Sequence, residues 1–144
     1  MEKILSIEIT PTRKENFYTL MQKKMLDLIK QGEIYLNHAP RHQKYALCQR
    51  IRLLQLEVDE LIIEARKRYW NKTSLTKLDV KHEQLRHMWR IFYDLGYFDY
   101  HNHKREGNDA EALRKFTTIN IRVNELGAMI GGIIKNGMSD NSTD

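Results

Sequence analysis

From residue 112 onward, apolar side chains recur at Ala112, Phe116, Ile119, Val123, Leu126, Ile130 and Ile133, the 4,3,4,3,4,3 spacing of a heptad seam. A helix so patterned must pack against other helices. Within it, Gly127, Gly131 and Gly132 punctuate ELGAMIGGIIK, where glycine weakens a helix by roughly 1 kcal/mol relative to alanine. Their smallness therefore has to be used in helix packing. Gly127 and Gly131 are four apart and share a face, which predicts close approach by a neighbouring backbone.

The same reading applied upstream predicts three more helices. Thr12 and Glu15 form a capping box, and the stripe Tyr18, Met21, Met25, Leu28, Gly32 and Tyr35 follows until Pro40 blocks the helix. Before it, alternation places Leu5, Ile7 and Ile9 on one side of an extended arm. A second helix is expected from Arg41 to Trp70, with Leu47, Ile51, Leu54, Val58, Leu61, Ala65 and Tyr69 toward the core. A third follows Asn71 to Ser74, turns Leu75, Leu78, Leu85, Trp89 and Phe92 inward, and stops near Gly96. Asp99 to Asn108 reads as an exposed loop, and Asn108 with Glu111 as a second capping box opening helix four. The polar MSDNSTD after Gly137 reads as a frayed tail. The prediction is an all-α, up-down four-helix bundle: residues 1–11 an extended N-terminal arm, 12–136 the bundle, 137–144 a flexible tail.

The second helix carries an additional stripe. Tyr45, Leu56, Ile63 and Trp70 are spaced 11, 7 and 7, which puts them within about 40° of one another and away from the core face. Either the helix is buried on several sides, or one face packs in the monomer and the other in a homo-oligomer. The oligomer is preferred, because a small bundle rarely leaves a long aromatic stripe in water.

Composition adds bounds. A chain of 144 residues fits one domain, and no run is apolar for the 18 or so positions of a membrane span. MEKILSIEIT lacks a secretory core, and the lone Cys48 cannot form an intramolecular disulfide. A soluble protein of the reducing cytoplasm, without membrane association, is expected. The 24 Lys and Arg outnumber the 19 Asp and Glu for a formal +5. From Arg41 to Lys72, eight bases face four acids, gathered toward the segment's two ends. Such clustering, more than net charge, points to nucleic acid. The candidate phosphate contacts are Arg41, Lys44, Arg50, Arg66, Lys67, Arg68 and Lys72, with Arg86 and Arg90 one turn apart on the third helix. The alternative for the last pair is an intrahelical ion-pair face with Glu83.

Enzymatic frames are missing: no Gly-rich phosphate loop, H-E-x-x-H, G-x-S-x-G or cysteine pair occurs. Cys48 reads as a small buried hydrophobe. His38 with His42, or His101 with His103, lacks a completing ligand set, so these read as solvated loop histidines and not a metal site. Glu60 and Glu64 lack the Glu-x-x-His partners of di-iron bundles and are expected to pair with Arg68. A non-enzymatic protein with neither cofactor nor metal is expected.

HAPRHQKYALCQRIRLLQLEVDELIIEARK resembles the signature of the four-helix-bundle family that includes the accessory variability determinants of diversity-generating retroelements and the 23S rRNA intervening-sequence proteins. The matching positions are Pro40, Arg41, Lys44, Tyr45, Leu47, Arg50 and Ile51, then Glu60 through Ala65. Glu125, Leu126, Gly127, Met129, Ile130, Gly131 and Gly132 are similar to the family's C-terminal E-[IL]-G-x-M-[IL]-G-G element. The resemblance spans about Phe17 to Asn136. It implies a barrel-like homopentamer that binds the retroelement's reverse transcriptase and template RNA, and with them cDNA, in support of mutagenic cDNA synthesis. The alternative is a structural oligomeric bundle of the intervening-sequence type. Cys48 stands where glycine is common, Ala128 where a base is common and Ile133 where an aromatic is common; the 99–108 loop and the arm are unmatched.

Overall fold

Helix α1 spans Arg13–His38 and buries the whole expected stripe, Tyr18, Met21, Met25, Leu28, Gly32 and Tyr35. The computed structural model describes residues 13–143, with side chains described through residue 136. The expected arm and the Thr12 half of the first capping box lie outside the described residues. Gly32 is small for a reason: a Cβ there would meet Gln55 Oε1 at 2.8 Å and the Trp89 ring at 2.9 Å.

The second helix is shorter at both ends than its periodicity suggests. Pro40 holds an extended conformation (φ −53°, ψ 138°), Arg41–Gln43 form one 3-10 turn, and α2 runs only from Leu47 to Lys67. Residues 39–46 are consumed in reversing the chain, so the expected Arg41 start fails. At the other end Arg68 is extended (φ −87°, ψ 135°). There the buried Asn71 donates from Nδ2 to the Ala65 carbonyl at 3.0 Å and to the Tyr18 hydroxyl at 3.1 Å, satisfying an orphan carbonyl of the helix end. Burial pushes the Tyr18 hydroxyl up to about 12, against the opposing Asn71 hydrogen bond. Tyr69, expected in the core, lies beyond α2 and is exposed.

Helix α3, Lys72–Asp94, buries Leu75, Leu78, Leu85, Trp89 and Phe92 as expected, and also Ser74 and His82. Gly96 ends it in the left-handed region at φ 80°, where glycine carries no Cβ penalty. The 99–108 segment is exposed from His101 to Asn108 as expected, but it is entered through buried residues and is folded into a hairpin, not an irregular loop. Tyr97–Asp99 form a buried 3-10 turn, and Phe98 stacks on Trp89 at 5.7 Å and meets Phe92 edge-on at 4.8 Å. Strand β1 (Tyr100–His101) pairs antiparallel with β2 (Lys104–Arg105), with Asn102 (φ 49°) and His103 (φ 69°) at the tip. The aromatic run is too short to show a period, which is why burial here is invisible in the pattern.

Helix α4, Asp109–Thr143, starts as the second capping box requires, with Asn108 Oδ1 accepting the Glu111 N–H at 3.1 Å. The reciprocal half is absent, because the Glu111 carboxylate turns to Arg114 at 2.9 Å. Its bounds continue past Gly137, where the expected tail begins. Helix α1 packs on α2 and α4, and α3 on the same two, which makes a four-helix bundle with the seam of α4 in its core. Of the three glycines, only Gly127 is pressed by a neighbour among the described residues: a Cβ would lie 2.7 Å from His82 Cε1 and 3.0 Å from Arg86 Nη2. Gly131 and Gly132 have nothing within 4 Å of that position among the described residues. The close approach expected of them does not occur among the described residues, because the seam turns Ile130 and Ile133 inward.

Candidate nucleic-acid interface

The turn from α2 to α3 gathers bases and rings at one end of the bundle. Lys67, Arg68 and Lys72 are exposed, and Tyr69 and Trp70 keep 67% and 61% of their surface open, their rings edge-on at 4.9 Å. Asn71, whose Nδ2 donates to both Tyr18 and Ala65, fixes the turn that displays them. Arg68 is partly engaged, 4.0 Å from Glu64 and 3.5 Å from Ser74 Oγ, while Ser74 itself donates to Glu64 at 2.6 Å. Lys67 and Lys72 have no carboxylate partner among the described residues, and the buried Nε of Arg66 has no hydrogen-bond partner there. Uncompensated cations beside exposed aromatic faces suit a single-stranded nucleic acid, phosphates meeting the charges and bases stacking on the rings.

The other predicted phosphate contacts are elsewhere. Arg41 and Lys44 occupy the opposite end, separated from the turn by the 21 residues of α2, about 31 Å of helix. Arg50 lies 3.8 Å from Glu57. Arg86 bonds Glu83 at 3.1 Å and reaches Asn124 across the seam with α4. Arg90 holds both oxygens of Asp94 at 3.0 and 3.1 Å and sits 5.9 Å from the Phe116 ring centroid. The nine bases therefore fall into separate groups: Arg86 bonds across the α3–α4 seam, whereas Arg90 pairs within α3 and stays 61% exposed. A groove of about 450 Å³ between α2 and α3 is lined by Glu57, Glu60 and Glu64 along with Lys77 and Lys81, a mixed charge ill suited to phosphate.

The four residues expected at an oligomer interface are all open in the single chain: Tyr45 at 81%, Leu56 at 50%, Ile63 at 38% and Trp70 at 61%. They do not form one helical stripe, since Tyr45 precedes α2 and Trp70 follows it. Leu56 and Ile63, joined by exposed Leu53, are the part that does share a helix face.

Cys48 is buried, and burial pushes its thiol up, away from the reactive thiolate. Among the described residues no group of three or more His, Cys, Asp or Glu is placed to hold a metal. The loop histidines instead hold the hairpin: His38 Nδ1 accepts the Asn102 N–H at 3.0 Å, its ring stacks on His101 at 4.3 Å, and His103 Nδ1 donates to the Ala39 carbonyl at 2.8 Å. Sequence reasoning missed Asn71, whose position between two helical patterns was the only available signal, and His82, which sits at a core position of the α3 stripe. No helix among the described residues is long and apolar enough to cross a membrane. No curated protein and no solved structure matches the chain. A family model does: the one described as bAvd-like aligns with residues 19–137, reaching into all four helices, and the chain belongs to that family.

Proposed function

We propose that this protein is a non-enzymatic accessory subunit of a diversity-generating retroelement, binding the reverse transcriptase and the template RNA to support mutagenic cDNA synthesis in the cytoplasm. An accessory role in such elements goes with the bAvd-like family. The observation that carries the RNA part is the α2–α3 turn, where Lys67 and Lys72, without carboxylate partners among the described residues, stand beside open Tyr69 and Trp70. The assembly part rests on Leu53, Leu56 and Ile63, an apolar face that one chain leaves in water. A closed homo-oligomer, a pentamer in this reading, covers that face and repeats each basic turn around the ring, so that several weak phosphate contacts act on one RNA. Primer extension on template RNA by the cognate reverse transcriptase tests the proposal. The parent protein is expected to raise cDNA yield, whereas Lys67→Gln/Lys72→Gln should reduce that gain and flatten its salt dependence. No stimulation by the parent protein, together with no RNA binding in low salt, would leave the structural bundle as the better reading.

A further inference from the structure

The end of the bundle opposite that turn contains a cleft of about 510 Å³ between the α1–α2 turn and the hairpin. Its lining includes Arg41, His42, Tyr100, His103 and Lys104, and no carboxylate among the described residues. Arg41 and Lys104 are exposed and have no acidic partner among the described residues, whereas the neighbouring Arg105 is held by Asp99 at 3.4 Å. The walls are fixed. His103 donates its backbone N–H to the His38 carbonyl at 3.1 Å and its Nδ1 proton to Ala39, so the two segments, some 64 residues apart, are stapled together. Asp99 accepts the N–H groups of Asn108 at 2.7 Å and Gly107 at 3.0 Å, which anchors the hairpin's return; these bonds hold its carboxyl below the usual range, so it stays charged, and that charge is met by Arg105.

We propose that this cleft is a second RNA site, taking one or two nucleotides of a single strand. Arg41 and Lys104 meet the phosphates, and Tyr100 supplies a ring and a hydroxyl for base or ribose. The volume lies within the range of small-ligand clefts, and the planar guanidinium of Arg41 suits the paired oxygens of a phosphate. A concave, acid-free cavity with a ring in its wall fits a nucleotide better than the flat acidic face of a protein. The inference rests on the RNA-binding function proposed for the α2–α3 turn and adds a second location to it, at the opposite end of α2.

Fluorescence anisotropy with a labelled oligouridylate tests it, using the full chain and variants shown to keep the parent's melting midpoint and mass. Arg41→Gln/Lys104→Gln is expected to weaken binding several-fold and to lower the slope of log K against log salt by about 1.4, two single-strand phosphate contacts. Lys23→Gln/Lys30→Gln, an equal charge loss on α1, is expected to do much less. Equal losses from the two pairs would overturn the site. So would unchanged RNA affinity in Arg41→Gln/Lys104→Gln, including the case where that variant loses the reverse transcriptase in a pull-down, which would assign the cleft to a protein. If RNA binding survives in Arg41→Gln/Lys104→Gln but fails in Lys67→Gln/Lys72→Gln, only this second site falls; no binding by the parent removes both readings.

Discussion

His82 Nε2 lies 2.7 Å from the Val123 carbonyl oxygen, across the seam between α3 and α4. A carbonyl can only accept, so Nε2 carries the proton. The ring fills the space that Gly127 leaves empty.

Burial holds His82 below the ordinary imidazole value of 6.5, outweighing the Val123 hydrogen bond that favours the charged form. The folded chain therefore binds fewer protons there than the unfolded chain, and stability must rise with pH. The contribution is complete above about 6.5 and is lost as pH falls below it, by at most about 1.4 kcal/mol per unit. Urea midpoints measured from about pH 7.5 down to about 5.5, the range of an imidazole titration, should decline for the parent and decline less for His82→Gln. Identical pH profiles would place the titration elsewhere.

The glycines should separate by sign. Gly127→Ala puts a Cβ 2.7 Å from a rigid buried ring and should cost about 1–3 kcal/mol. Gly32→Ala, wedged against Trp89, should behave alike. Gly131→Ala meets nothing within 4 Å among the described residues and should stabilise by about 0.4–1 kcal/mol. Thermal denaturation of the three variants decides; a destabilised Gly131→Ala would reveal a neighbour that the single chain lacks.

Arg86→Gln/Arg90→Gln should affect stability more than RNA affinity, because these side chains are already engaged with Glu83, Asn124 and Asp94. Filter binding beside Lys67→Gln/Lys72→Gln would test it. A larger loss from the α3 pair would return the RNA to the α3–α4 seam.

Leu56→Glu/Ile63→Glu places two charges on the open apolar face of α2. Light scattering should show the assembly falling to smaller species while far-ultraviolet circular dichroism keeps its helical content. A parent that is monomeric at every concentration would remove the oligomer argument.

Asn108→Ala removes the side-chain oxygen that accepts the Glu111 N–H and should cost about 1 kcal/mol of stability, read as a lower urea midpoint. Asn108→Asp should retain most of it, since aspartate caps equally well.

Periodicity alone located the four helices, though not the ends of α2, and most of the core, from Tyr18 through Tyr35 in α1 and from Leu75 through Phe92 in α3, because a buried stripe has to repeat with the helix. It determined the α4 seam in the same way, and the Asn108 cap was legible from its spacing to Glu111. Resemblance in the α1–α2 turn and in ELGAMIGGIIK pointed to the bAvd-like family without any tertiary information. Only the tertiary structure decided what lies between the stripes. Asn71 ends one helix by reaching Ala65 and Tyr18, and the 99–108 hairpin is held by His38, Ala39 and the Phe98 anchor. Such contacts join residues far apart in the chain and leave no repeat in it. The same cause divides the bases. In sequence Arg66 and Arg86 look alike, but whether a cation faces water or a partner depends on the helix packed beside it, and that is set by the fold.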